Sequence, residues 1–158
     1  MLFSSGGKAI RFAESQVRPM GRTARGVRGI SMKGDHEVIS MLVFEGATSA
    51  DSVLVATENG YGKRSAFSDF PSKNRGGQGV IAIRVGGRNG SLVGAERVVD
   101  SDGLMLITGG GRLVRTRIGE IPLVGRNTQG VRLIRLAEEE SLVSISTVVD
   151  TGEESEDE

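Results

Sequence analysis

Apolar positions in this chain fall in short runs, each cut off by glycine-rich or polar stretches, and the same succession comes round three times. An apolar run opens each round, at 1–3, 53–55 and 104–107. A tight turn follows: Ser5-Gly6-Gly7, Glu58-Asn59-Gly60 and Gly109-Gly110-Gly111. Asn59-Gly60 is the strongest hairpin signal of the three, and it predicts a type I′ turn with positive φ at both positions. A second strand then carries Lys and Arg, a polar loop intervenes, and a third strand is predicted over 27–32, 80–85 and 131–136. A fourth closes each round, at 38–44, 92–99 and 142–149. No helical period emerges, and 119–122 reads as a turn.

The rounds keep one register. Gly7-Lys8-Ala9-Ile10-Arg11 aligns with Gly60-Tyr61-Gly62-Lys63-Arg64 and with Gly111-Arg112-Leu113-Val114-Arg115. The same shifts of 53 and 51 residues pair Arg25-Gly26-Val27 with Gln78-Gly79-Val80 and Gln129-Gly130-Val131, and Ile30 with Ile83 and Ile134. Four strands in about 50 residues make a propeller-like blade, which needs neighbours to cover its faces. The expected fold is all-β, with three four-stranded antiparallel blades at 1–50, 51–101 and 102–150. Residues 151–158 hold no apolar side chain and are expected to form a disordered acidic tail. The chain opens directly on a strand, which suggests a piece of something longer.

Composition narrows the function. The 24 glycines suit many turns, the absence of Cys excludes disulfides, and the lone His36 offers no zinc site. No metal or cofactor is expected. No apolar run is long enough to span a membrane and no secretory leader is visible, so a soluble cytoplasmic location is expected. The formal net charge is zero, but it is unevenly spread. All 20 Lys and Arg lie in residues 1–136 with 11 acids, a charge of +9, and residues 137–158 carry nine acids and no base. A basic body with an acidic end suits a polyanion binder whose tail competes for the same surface. Sixteen of the bases are Arg, whose forked guanidinium suits phosphate oxygens.

Enzymatic readings fail. Gly62-Lys63-Arg64 lacks the Ser/Thr of a phosphate-binding P-loop, and His36 has no Ser-His-Asp grouping to serve. Tyr61 stands at the repeat position of Lys8 and Arg112, which argues for a strand surface and against a nucleophile. Asn89-Gly90-Ser91 reads as a hairpin turn. What recurs is a polar loop free of acids: Gly21-Arg22-Thr23-Ala24-Arg25-Gly26, then 73–79 with Lys73 and Arg75, then Gly125-Arg126-Asn127-Thr128-Gln129-Gly130. Repeated per blade, it gives a row of cationic points suited to duplex DNA. The expected contacts are Arg22, Arg25, Lys73, Arg75 and Arg126, supported by Lys8, Arg11, Lys63, Arg64, Arg112 and Arg115 on the second strands. The alternation does not give the faces of Arg28, Arg84 and Arg132. Six aromatics and no Trp argue against base stacking on single strands.

Over residues 1–150 the chain resembles the C-terminal β-pinwheel of the DNA gyrase A subunit, most clearly at 12–32, at Asn59-Gly60-Tyr61-Gly62-Lys63-Arg64 and at 113–136. That family's wrapping signature has the form Gln-Arg-Arg-Gly-Gly-Lys-Gly. Residues 73–79 are similar but degenerate: Arg75, Gly76, Gly77 and Gly79 agree, while Lys73, Asn74 and Gln78 depart. The resemblance implies the last three blades of a six-bladed domain, with strands exchanged between neighbours and bent DNA on the outer rim. It further implies a nucleoid-associated partner of the rest of gyrase A and of gyrase B in ATP-dependent negative supercoiling, the catalytic tyrosine lying in a separate cleavage core. The corresponding tail of topoisomerase IV and a protein-binding propeller scaffold are the alternatives. Half a ring would expose an apolar face on its first blade, which invites self-association.

Overall fold

The computed structural model describes residues 1–46, 48 and 50–150, so the acidic tail lies outside the described residues. Each repeat is built on a hairpin: β1 (Leu2–Ser4) with β2 (Lys8–Ile10), β4 (Ser52–Thr57) with β5 (Tyr61–Ala66), and β8 (Gly103–Thr108) with β9 (Leu113–Arg117). The three turns are alike. Gly7, Gly60 and Gly111 each take positive φ and donate to the carbonyl three residues back, on Ser4, Thr57 and Thr108. Asn59 is not in the positive-φ region, so the expected type I′ turn is absent. Three residues separate β4 from β5, and in a loop of that length only the last needs the left-handed conformation.

The closing strands β3 (Val38–Met41), β7 (Leu92–Val98) and β11 (Leu142–Val148) pair with β1, β4 and β8. The expected third strands behave differently. Only β6 (Val80–Ile81) and β10 (Val131–Arg132) form, and each joins the sheet of the preceding repeat. β6 pairs with β2 (Ala9 opposite Val80) and β10 with β5 (Gly62 opposite Val131). The sheet orders are β3-β1-β2-β6, β7-β4-β5-β10 and β11-β8-β9. Two sheets therefore have the expected four strands; the third has three, because no described segment covers the outer edge of β9. Residues 27–32, the counterpart of β6 and β10, are not in a strand.

Two glycines make the exchange possible. A Cβ on Gly79 would stand 2.2 Å from the Ala9 carbonyl oxygen, and one on Gly130 2.4 Å from that of Gly62. Both have positive φ. Short 3-10 turns, Glu14–Gln16, Phe67–Asp69 and Ile118–Glu120, occupy one position in each repeat; only the last was foreshadowed.

The core lies between blades. On β4, Val53 and Val55 face a cluster with Phe3, Phe70, Ile83 and Leu92, while Leu54 and Ala56 face a second with Leu104, Leu106, Ile118 and Ile121. This strand is buried throughout because its alternating side chains reach a neighbouring blade on each face. β8 buries Leu104 and Leu106 but leaves Met105 and Ile107 half-exposed, since among the described residues no further blade covers that face.

Candidate nucleic-acid interface

The cations of the second strands divide: those of the middle repeat, Lys63 and Arg64, turn inward. Lys63 is 0% exposed, and its Nζ donates to the backbone carbonyls of Gly125 (2.6 Å) and Arg126. Its counterparts are Ile10 and Val114, so it occupies a core position and not the rim expected of it. Burial, reinforced by Arg126 and opposed by Asp69, pushes its pKa down to about 8. Arg64 is likewise buried: Nε donates to the Ile121 carbonyl at 2.8 Å and Nη1 pairs with Asp100. Arg11 at the same repeat position donates to the Phe70 carbonyl at 2.9 Å, its guanidinium 4.0 Å above the Phe67 ring. Lys63 and Arg64, expected on the rim, are thus enclosed: the Lys63 donors go to the next blade, and those of Arg64 to Ile121 of the next blade and Asp100 of its own.

The loop arginines point the other way, to the blade before. Arg75 donates through Nε to the Gln16 carbonyl (3.2 Å) and through Nη1 to that of Arg28 (2.7 Å). Arg126 repeats the pattern with Asp69 (3.0 Å) and Ile81 (2.9 Å), the residues 53 positions on from Gln16 and Arg28. Arg22, their counterpart in the first repeat, is exposed and has no hydrogen-bond partner among the described residues. Arg25, Lys73 and Arg115 are exposed and Lys8 is half-buried. Arg112 is exposed but engaged by the Glu140 carboxylate (2.7 Å) and the Arg135 carbonyl (2.7 Å). Hydrogen bonds from Thr108, Ala137 and Arg112 hold the Glu140 carboxyl down at about 2.

A further cationic group was missed in the sequence. Arg88 and Arg132, both exposed, meet on Tyr61, and exposed Arg84 lies in the same turn as Arg88. The Arg88 guanidinium lies 4.3 Å from the Tyr61 ring centroid and that of Arg132 5.5 Å, with Arg132 Nη2 donating to the phenol oxygen at 2.9 Å. Arg84 is steadied by Asn127 Oδ1 at 2.9 Å and Arg88 by the Gly130 carbonyl at 3.1 Å. Fully buried Asn89 donates to the Arg84 carbonyl (2.7 Å) and the Gln129 carbonyl (2.9 Å), tying the 84–90 turn to the loop of the next blade. Tyr61 serves as a platform, each cation over its face being attracted by the ring quadrupole. The sequence signal was available: Tyr61 replaces a cation at its repeat position, and Arg132 and Arg28 share another.

No group of three metal-ligating side chains occurs among the described residues, and no described helix is long and apolar enough to cross a membrane. Blades that trade a strand with the next repeat and carry arginine-rich loops at their junctions define a β-pinwheel. The model of the family described as DNA gyrase C-terminal domain, beta-propeller, matches residues 1–45, 51–98 and 103–148, and the chain belongs to that family. It is 53% identical over 156 residues to the DNA gyrase A subunit of Salmonella typhimurium, covering 99% of this chain and 17% of that protein. Against the DNA gyrase A subunit of Escherichia coli the identity is 51%, covering 98% and 17%. The chain thus spans about a sixth of the length of these relatives. Among solved structures, a DNA gyrase A C-terminal domain superposes with a TM-score of 0.80 at 27% identity, covering 94% of this chain and 50% of that one. The C-terminal domain of a DNA topoisomerase IV gives 0.85 at 27%, covering 94% and 46%.

Proposed function

We propose that this chain is a non-catalytic module of a bacterial DNA gyrase A protein that holds and wraps duplex DNA by its phosphate backbone. The observation that carries the reading is the exposed pair Arg88 and Arg132 on Tyr61, with exposed Arg84 held by Asn127 of the next repeat, at the junction of two blades. Arg22, Arg25, Lys73, Lys8 and Arg115 extend the surface, with Arg112 joining when it exchanges Glu140 for phosphate. Among the described residues the only helical segments are three-residue 3-10 turns, so no recognition helix enters a groove and contacts go to phosphate regardless of sequence. In the complete enzyme the module works with the rest of gyrase A and with gyrase B, on the cytoplasmic nucleoid, in ATP-dependent negative supercoiling. Gyrase is preferred to topoisomerase IV because identity to gyrase A proteins exceeds 50% across the chain, whereas the two solved folds fit at equal identity. The five carboxylates within 151–158 compete with DNA for the basic surface. The groove lined by Met1, Leu2, Phe12, Val17, Met41 and Val43 is where copies of this chain self-associate.

A fluorescence titration of a short duplex across salt tests the reading. With ~6 phosphate contacts, log K falls against log[salt] with a slope of roughly −5. Changing Arg84, Arg88 and Arg132 together to Ala makes the slope shallower by roughly 3, at about 0.9 per contact. A flat slope in the parent protein contradicts the reading and favours a protein-binding scaffold.

A further inference from the structure

We propose that Arg75 and Arg126 are positioning residues: each clamps its blade to the one before and sets the blade-to-blade angle that spaces the cations on the rim. The inference rests on the DNA-binding reading for its functional meaning, but its geometry stands by itself. The two arginines make the same pair of hydrogen bonds, Nε to the last residue of the preceding 3-10 turn and Nη1 to a carbonyl 12 residues further on. Those two carbonyls belong to separate segments of the preceding repeat, and for Arg126 the Ile81 carbonyl lies on β6, the strand lent to the first sheet. A guanidinium spans them with a rigid planar fork, whereas an ammonium is a single flexible point. The clamp has a counterpart in the opposite direction. Arg11 and Arg64 reach forward to the carbonyls of Phe70 and Ile121, which close the next blade's 3-10 turn. Each junction is thus held by one arginine from each side, and both close on a 3-10 turn of the blade opposite: Arg75 on Gln16 and Arg11 on Phe70, then Arg126 on Asp69 and Arg64 on Ile121.

The loop backbone is fixed at the same place. The Arg75 N–H donates to Gln16 Oε1 at 2.7 Å, and the Gly76 N–H to the Gly29 carbonyl at 2.8 Å. At the second junction Lys63 grips the Gly125 and Arg126 carbonyls from below. A donor spent on two carbonyls and seated in a tied-down loop is poorly placed to meet phosphate. The cations that do meet it, Arg84, Arg88 and Arg132, stand across the second junction, two from one repeat and one from the next. Their spacing therefore follows the angle that Arg126 and Arg64 hold.

The chain has no cysteine, so two introduced at exposed Asp35 and Glu138 place a dye on the first and third blades alone. In this background the double changes Arg75→Ala/Arg126→Ala and Arg75→Lys/Arg126→Lys are compared with the parent by single-molecule energy transfer and by salt titration of duplex binding. The expected result is a broadened inter-dye distance distribution in both variants, with the salt slope of the parent retained. A slope about two units shallower in the Ala variant, returned to the parent value by Lys, makes the two residues phosphate contacts and overturns the proposal. So does an unchanged distance distribution. If the double Ala variant fails to fold by circular dichroism, Arg126→Ala alone opens one junction and is judged on the same two readouts. A flat slope in the parent defeats the DNA reading while the distance distribution still decides whether the arginines clamp.

Discussion

The loop at 21–26 in the first repeat and the loop at 125–130 in the third share a repeat position and much of their composition, yet they live differently. In the third, Arg126 is spent on two carbonyls of the preceding blade, and Gly130 lies so close to Gly62 that a Cβ has no room. In the first, Arg22 is exposed without a partner among the described residues, and a Cβ on Gly26 would meet nothing within 4 Å, although both glycines have positive φ. A repeat position therefore fixes which backbone conformation and which donor are offered. Whether that donor meets a carbonyl or solvent depends on the blade standing beside it.

The largest effect separates the two glycines. Gly26→Ala adds only a left-handed alanine, worth ~1–2 kcal/mol. Gly130→Ala adds the same strain plus a collision with a backbone oxygen that cannot move without parting β10 from β5, and a loss of roughly 3 kcal/mol or more is expected. Urea unfolding of the two variants measures the gap, and equal losses would mean that the junction is not where Gly130 acts.

A smaller effect distinguishes the second junction from the first, since Lys63 stands where the first repeat has Ile10. Its pKa falls from 10.5 to about 8 on folding, so between these values the unfolded chain holds a proton that the folded chain has released. Stability from this group therefore rises with pH across about 8 to 10.5, and the burial cost is present in full below 8. Thermal melts from pH 7 to 10.5 should show that rise in the parent and a flatter curve in Lys63→Met.

Much of the fold was legible because glycine marks it. Gly7, Gly60 and Gly111 keep one place in the repeat and one conformation, and the hairpins follow from them. The sheet to which the third strand belongs was not legible from the residues, since Val80 and Val131 read as strand whichever neighbour they join; only the family resemblance implied exchange. The destinations of the cations were hidden for a related reason. The acceptors of Lys63, Arg75 and Arg126 are backbone carbonyls, which carry no sequence signature, so half-buried clamps and exposed rim arginines look alike. Arg132 lies in a two-residue strand and Arg84 just beyond another, too short for alternation to reveal a face.

The division of the arginines into outward contacts and inward clamps can be read in one experiment, by modifying the folded protein with phenylglyoxal, with and without a short duplex, and mapping the modified arginines by mass spectrometry. Arg84, Arg88 and Arg132 should react in the free protein and be shielded by DNA, while Arg64, Arg75 and Arg126 stay unreactive in both. Reaction of Arg75 and Arg126 in the free protein with shielding by DNA, or equal reaction of Arg84, Arg88 and Arg132 in the two samples, would contradict the account.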